Sequence, residues 1–331
     1  MIWLTWRQFR AQAVVAAVGL VALALYLVYL GNAIRHSYDT DIVGCLPADC
    51  DLALREFRHD YGDTVGLLGA LLIAVPGLIG IFWGAPLVAR ELEERTDRLA
   101  WSQSVTRTRW LAVKLGFIAL VTIAVTSLFS LLLTWSASRY DQVIGGRFAA
   151  MSFDARNIVP IGYGLLAFVL GTVAGMVIRR TVLAMAITLA AFAIIQVLVP
   201  TAIRQHLMSP VTETVTLDAE VFQRMDGMSL RETGMFIHGY SVPDGWALTE
   251  ESQVFNADGT PYTEAAARTC FAGADRKATE ACTIAQNLRF THTYQPGSRY
   301  WAFQWIELGL FVALSALLAG FAFWWLRKRM T

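Results

Sequence analysis

Long apolar runs, separated by short charged segments, dominate the pattern along this chain. An α-helix needs about 20 apolar residues to cross a hydrocarbon core of about 30 Å. Backbone N–H and C=O groups in lipid must be paired within their own segment, so runs of this kind predict membrane-spanning helices. Six runs reach or nearly reach the required length, and we predict spans at residues 13–31, 65–88, 111–138, 158–178, 181–203 and 301–326.

The composition supports a membrane protein. Of the 331 residues, 56% are hydrophobic and only 16% are charged, whereas soluble domains contain about 25% charged residues. The net charge of +1 provides no overall basic field that would attract nucleic acid. These values exclude a secreted enzyme, a cytosolic nucleotide-binding enzyme and a disordered scaffold. We therefore predict an all-α polytopic membrane protein whose surroundings are the lipid bilayer and which has no nucleic-acid partner.

The N-terminal segment has its own pattern. The first apolar run is longer than the core of a signal peptide and lacks a convincing small-residue cleavage site, so we expect it to be retained as a span. In residues 1–12, Trp3 and Trp6 recur at helical spacing beside Arg7 and Arg10. This arrangement predicts an interfacial helix lying on the inner leaflet. A simple extension of the first span explains the pattern equally well.

Basic residues in short flanks predict the orientation of the spans. With a cytoplasmic N-terminus, the inner segments are 1–12, 89–114, 179–180 and 327–331. These short segments hold nearly half of the 27 Lys and Arg residues, while most of the 26 acidic residues fall on the other side. The sequence thus predicts a multi-pass protein of the plasma membrane with both termini in the cytoplasm.

All four cysteines fall on the predicted outer side. Cys45 and Cys50 lie in the first outer loop, and Cys270 and Cys282 lie in the last. Four cysteines allow three pairings, and proximity in the sequence favours Cys45–Cys50 and Cys270–Cys282. An oxidising compartment would stabilise these bonds, although free thiols are the alternative.

The last outer segment, 204–300, is long enough to fold as a small domain. Apolar and polar residues alternate over 211–217 and again over 287–294, with many β-branched and aromatic residues. This period of two is typical of strands. We predict a small α+β extracytoplasmic domain between the fifth and sixth spans.

The inner segment between the second and third spans combines charges and leucines at helical spacing. It contains the i,i+4 pairs Glu91–Arg95 and Glu94–Arg98, with Leu92 and Leu99 on one face. Such pairs stabilise an exposed helix by a few tenths of a kcal/mol each. A short helix here can be displaced by a soluble partner and transmit the displacement to two spans. From composition alone, however, a solvated connector is the simpler interpretation.

Polar residues inside the predicted spans are candidates for function. Glu307 and Gln304 lie near the outer end of the sixth span, and Gln196 lies in the fifth. These side chains are candidates for lining a translocation path. Equally, Glu307 could pair with a loop arginine such as Arg299 or Arg204.

Two pairs of glycines lie four residues apart in the spans. Gly80 and Gly84 belong to the second span, and Gly171 and Gly175 belong to the fourth. Small residues at this spacing allow close approach of helices, either at a dimer seam or within one subunit.

Motifs for catalysis or for nucleotide binding are missing from the sequence. The five histidines are widely spaced, and neither a His-x-x-x-His nor a Cys-x-x-Cys metal motif occurs. No phosphate-binding loop is present, and no Gly-x-Ser-x-Gly elbow for a nucleophilic serine occurs. We predict no catalytic residue, no metal site and no cofactor bound by this chain.

Three runs of the sequence resemble the permease subunits of type-2 ABC exporters, in particular their actinobacterial branch. They are Phe82–Glu93, Arg98–Arg107 and Tyr294–Glu307, and the likeness extends over nearly the whole chain. It implies that two permeases pair, as a homodimer or with a paralogue, and that each docks a separate ATPase subunit that binds ATP and Mg. It also implies that residues 90–101 form the coupling helix, with Glu91, Leu92, Glu94, Arg95, Arg98, Leu99 and Trp101 as candidate contacts.

Two other classes of function are compatible with the sequence. The first is a membrane sensor or accessory protein whose outer domain binds a peptide or lipid. The second is a membrane enzyme acting on lipid, which Glu307 and the outer histidines would have to serve. The sequence does not indicate a transported substrate.

Overall fold

The computed structural model describes residues 2–45, 50–94, 106–271 and 275–329. The chain divides into two compact units. The first unit takes in the residues up to Ile144, Ala150–Arg204 and the residues from Trp301 onward, and the second comprises Gly145–Ala149 and Gln205–Tyr300. The first unit is helical, and the second contains a sheet.

Eleven helices are formed by the described residues. In chain order they are α1 (Ile2–Ser37), α2 (Asp51–Ile79), α3 (Ala85–Glu93), α4 (Arg107–Ile144), α5 (Ala150–Asp154), α6 (Val159–Ile178), α7 (Thr181–Leu198), α8 (Ala219–Arg224), α9 (Glu264–Phe271), α10 (Arg276–Ala285) and α11 (Tyr300–Arg329). Three π-helical turns extend or join them, at Tyr38–Ile42, Gly80–Gly84 and Val199–Ile203.

Six helical stretches in the described part of the chain are long and apolar enough to cross a membrane, which confirms the predicted number of spans. They are Ala17–Ile42, Leu52–Glu93, Arg107–Ile144, Val159–Ile178, Thr181–His206 and Gly297–Arg329. Several continue beyond the predicted limits, because hydropathy marks only the apolar part of a helix whose backbone hydrogen bonds can propagate into polar sequence.

The N-terminal residues join the first span without a break, since α1 runs from Ile2 to Ser37. This continuity corresponds to the alternative of an extended first span. The location of residues 1–12 at the inner leaflet stays a prediction.

The second span changes its helical winding near its end. Pro76 lies inside α2, and the π-helical turn Gly80–Gly84 follows and leads into α3. Proline has no N–H to donate to the helix, and π-helical turns frequently occur at functional sites. The helix then continues to Glu93, so the described part of the predicted coupling segment, Arg90–Glu94, forms the end of this long helical stretch.

The link between the fourth and fifth spans is a two-residue turn, as the sequence predicts. Helix α6 ends at Ile178 and α7 begins at Thr181. Arg179 closes α6 in the left-handed conformation, with φ of 57°, and its N–H donates to the Gly175 carbonyl. This left-handed residue reverses the chain direction within a single turn.

The second unit contains an antiparallel sheet of six strands in the order β1-β6-β5-β3-β2, with β4 also pairing with β6. The strands are β1 (Val211–Thr216), β2 (Gly227–Arg231), β3 (Gly234–His238), β4 (Trp246–Ala247), β5 (Glu251–Phe255) and β6 (Arg289–Gln295). The two strands predicted from alternation are β1 and β6, and they pair directly, with Val211 opposite Tyr294. Phe290, Met235 and Val254 lie in the core between the sheet and the helices.

Both disulfides favoured by the sequence are present. Cys45 is bonded to Cys50, and Cys270 is bonded to Cys282. The second bond links α9 to α10 and closes a loop of 12 residues. It therefore crosslinks the two helices that precede β6 in the sequence.

Candidate functional site

A cluster of buried charges lies in the helical unit. We call Asp154, Arg204 and Glu307 the buried ion cluster. Arg204 follows the π-helical end of the fifth span, Glu307 lies on α11 and Asp154 ends α5. The exposed fraction is 1% for Arg204, 0% for Glu307 and 3% for Asp154. Because charges this deeply buried are costly unless they are paired, their mutual contacts determine whether the cluster is stable.

The guanidinium of Arg204 contacts both carboxylates. Its Nε donates to Glu307 Oε1, and its Nη2 donates to Glu307 Oε2 at 3.2 Å. The same Nη2 also donates to Asp154 Oδ1. The guanidinium carbon lies 4.1 Å from the centre of the Phe153 ring, close enough for a cation–π contact. Glu307 is therefore held by two donors, and Asp154 shares one of them.

The other two predicted path residues border this cluster. Gln196 Nε2 donates to Asp154 Oδ2 at 3.2 Å. Gln304 Oε1 accepts from the backbone N–H groups of Ile158 and Val159, each at 3.2 Å. The structure thus brings Gln196 and Glu307 to one site, while Gln304 fastens α11 to the start of α6. Their role in a translocation path stays a prediction.

Of the two partners left open for Glu307, the structure selects Arg204. Arg299 donates instead to the Ser209 carbonyl at 2.6 Å and to Gln295 Oε1 at 2.8 Å, within the second unit. Position alone could not separate these arginines, because each lies close to the predicted end of a span.

Sequence analysis missed two residues here, Asp154 in the cluster and Tyr163 beside it. Asp154 lies in a predicted outer loop, where acidic residues are common and do not by themselves suggest a functional site. Burial raises the pKa of its carboxyl to about 6, and the Arg204 charge opposes this rise. Tyr163 falls within an apolar span; its ring packs 4.2 Å from that of Phe311. Its hydroxyl is buried without a hydrogen-bond partner in the described residues.

A second set of polar contacts joins α3 to two other spans. Glu91 pairs with Lys114 of α4, whose side chain is only 5% exposed. Glu93 accepts from the backbone N–H and the hydroxyl of Thr181 at 3.0 and 2.7 Å. A carboxylate at this position satisfies a free N–H group at the start of α7 and interacts favourably with the helix dipole.

The remaining predicted coupling residues divide into two groups. Glu94 is exposed and accepts from Arg90 at 3.0 Å, and Leu92 packs beside Val88 and Trp110. The others lie outside the described residues; they are Arg95, Arg98, Leu99 and Trp101. The pairs Glu91–Arg95 and Glu94–Arg98 therefore stay predictions.

The two glycine pairs pack against each other within the subunit. A Cβ atom on Gly171 would lie 2.3 Å from the Gly80 carbonyl oxygen, and one on Gly84 would lie 2.5 Å from that of Phe168. A Cβ on Gly175 would lie 2.3 Å from the Ala85 carbonyl oxygen. These distances allow no side chain, so the second and fourth spans touch backbone to backbone.

Metal ligands do not gather in the described residues, where no group of three or more His, Cys, Asp or Glu side chains could hold an ion. The predicted lack of a metal site and of catalytic residues is not tested by this observation.

Comparison with known proteins assigns most of the helical part of the chain to a protein family. A family model described as ABC-2 membrane transporter related matches residues 17–204, more than half of the chain and five of its six candidate spans. No curated protein and no solved structure matches. Members of this family are membrane transport components that normally work with an ATPase subunit. The chain therefore belongs to the ABC-2 membrane transporter-related family and is a multi-pass, permease-type membrane protein.

Proposed function

We propose that this chain is the permease subunit of an ATP-driven exporter. In this proposal two permeases, identical or paralogous, form the translocation path, and each binds a separate ATPase that holds ATP and Mg. Residues 90–101 contact the ATPase on the cytoplasmic side, where both termini also lie. The observation that carries the proposal is the attachment to three other spans of α3, whose last residues form the beginning of this segment.

The attachment of α3 provides a route for mechanical coupling. Its backbone is continuous with the second span, and its Glu91 is joined to the third span through buried Lys114. Glu93 caps the fifth span at Thr181. Gly175 of the fourth span touches the Ala85 carbonyl. A displacement applied to residues 90–101 would therefore reach four spans at once.

Charge reversal at Glu94 tests this proposal. Glu94 is exposed at the end of α3 and pairs only with Arg90 among the described residues, so Glu94→Arg should leave the fold intact. If the segment docks an ATPase, the variant should lose most of the stimulation of ATP hydrolysis that wild-type permease gives the co-purified ATPase. The measurement is ATP turnover of the complex in proteoliposomes.

The matched control is Glu220→Arg, which reverses a carboxylate in a similar exposed i,i+4 pair with Arg224 in the second unit. This variant should retain full stimulation. Normal stimulation by a folded Glu94→Arg variant, or the absence of any ATPase from the purified complex, would exclude the proposal and favour a sensor or accessory role.

A further inference from the structure

The buried ion cluster has one more acidic than basic group. Elsewhere in the same unit, Arg156 pairs with the single carboxylate of Asp141, with Nε 3.0 Å from Oδ2 and Nη2 3.4 Å from Oδ1. Arg204 instead serves both Asp154 and Glu307. With both carboxylates ionised, the cluster would hold one unbalanced negative charge in a nearly inaccessible site, which is strongly unfavourable.

Two polar atoms beside the cluster lack hydrogen-bond partners. Gln196 donates to Asp154 through its amide nitrogen, but its Oε1 is buried and accepts from no group in the described residues. The Tyr163 hydroxyl, on a side chain that is 1% exposed, also finds none there. It lies within electrostatic range of Asp154 and Glu307. The hydroxyl can donate or accept, whereas the Gln196 oxygen can only accept. A buried acceptor without a donor, beside surplus negative charge, indicates a missing positive ligand.

We propose that the buried ion cluster is a binding site for one proton, which Asp154 takes up. The proton bonds to Asp154 Oδ2, so the carboxylate becomes a neutral acid and the cluster becomes electrically neutral. The side-chain amide of Gln196 then turns, and its Oε1 accepts the new O–H donor. This exchange gives the Gln196 oxygen a donor and moves the amide nitrogen to the position that the oxygen held. It leaves Arg204 and Glu307 as a one-to-one ion pair.

The contacts assign the proton to Asp154 and not to Glu307. Glu307 binds Arg204 through both of its oxygens, whereas Asp154 has one shared guanidinium donor. Protonating Glu307 would therefore disrupt the stronger pair. The charged and titratable groups facing Asp154 are Arg204, Glu307 and Tyr163, and the nearby Arg156 is engaged by Asp141. The raised pKa of Asp154 agrees in direction with this assignment.

Proton uptake would stabilise a junction between three parts of the membrane unit. The cluster connects α5, the end of the fifth span and α11. Loss of the proton restores the unbalanced charge and weakens the junction. Because the folded-state pKa of Asp154 lies above its ordinary value, this stabilisation is complete at low pH and is lost as the pH rises through about 6.

Infrared difference spectroscopy of the full chain in nanodiscs tests the proposal. Between about pH 5 and about pH 8, the wild type should show a carbonyl band of a buried carboxylic acid that disappears as the pH rises. Asp154→Asn should lose this band. Asp141→Asn, which alters a one-to-one pair, should keep it. Absence of the band from the wild type, or its persistence in Asp154→Asn, would overturn the proposal.

A second variant keeps the test decisive if Asp154→Asn fails to fold. In Glu307→Gln, Asp154 becomes the single carboxylate partner of Arg204, so its ionised form is favoured. The band should then vanish at a pH at least one unit lower than in the wild type. An unchanged midpoint in Glu307→Gln would contradict the proposal, whatever the result of the ATPase assay.

Discussion

At the scale of single residues, some buried polar side chains have hydrogen-bond or ion-pair partners and others have none among the described residues. Lys114 and Glu91 form a balanced pair, and removing one member of a buried pair typically costs 3–5 kcal/mol. His292 is the opposite case: it is 1% exposed, and both ring nitrogens lack partners in the described chain. Its neighbours are the rings of Tyr240 and Tyr294, at 5.0 and 5.9 Å. This histidine therefore favours the neutral form.

The environment of His292 predicts acid sensitivity of the second unit. Burial lowers the pKa of His292 below its ordinary value of 6.5. Below about pH 6.5 the unfolded chain binds a proton that the folded unit resists, so stability falls as the pH drops. Hydrogen exchange in β1 and β6 should thus show less protection at about pH 5.5 than at about pH 7.5.

Substitution of His292 tests whether this histidine causes the acid sensitivity of hydrogen exchange. His292→Phe should abolish the acid sensitivity of exchange in β6, because the ring keeps its shape and loses its titration. His59, whose side chain is 90% exposed, provides the control: His59→Phe should leave the sensitivity unchanged. Equal acid sensitivity in both variants would assign the effect to another group.

At the scale of elements, backbone contacts between helices determine how the spans pack. Gly80 and Gly84 of the second span pack against the fourth span, close to Gly171 and Gly175. Such contacts strengthen van der Waals packing in lipid, where no hydrophobic force brings helices together. The π-helical turn Gly80–Gly84 lies within this contact, so the site of altered winding is also the site of closest approach.

Enlarging Gly171 tests the packing. Gly171→Leu should destabilise the protein by at least the 1–3 kcal/mol typical of overpacking, because the obstructing atoms belong to the backbone. Thermal unfolding in detergent measures the change. Gly116→Leu in the third span is the control, since a Cβ there meets no atom within 4 Å. If the glycines formed a dimer seam instead, Gly171→Leu would abolish dimers and leave the monomer's stability unchanged.

At the scale of the whole molecule, the chain combines a helical membrane unit with a disulfide-bonded antiparallel sheet unit. The family match ends at residue 204, and the main segment of the second unit, Gln205–Tyr300, follows it. The family match thus covers the first five candidate spans, and most of the sheet unit lies between the fifth and the sixth in the sequence.

The proposed orientation predicts opposite labelling of two introduced cysteines. The native cysteines are bonded in pairs, so reporters at exposed Glu94 and Ser209 can be read separately. A membrane-impermeant maleimide should label Ser209→Cys on intact cells and Glu94→Cys only after the cells are opened. The unmodified protein is the control. Labelling of Glu94→Cys on intact cells would contradict both the orientation and the coupling proposal.

Local sequence patterns predicted the six spans and the strands β1 and β6, and they favoured the two disulfide pairs that the structure contains. Each depends on local properties: a run long enough for the bilayer, a period of two, or closeness along the chain. Neighbouring residues carry all the information needed for these features. The limits of the helices were less well determined, because helical hydrogen bonding continues past the apolar residues that reveal a span.

Which polar residues meet depends on how the helices pack in the folded chain. Arg204 lies 50 residues from Asp154 and 103 from Glu307, and Lys114 lies 23 residues from Glu91. No periodicity relates positions so distant, because their approach depends on how whole helices cross. The same holds for the opposed glycines, whose spacing predicts close packing but whose partner is fixed only when two helices fit together.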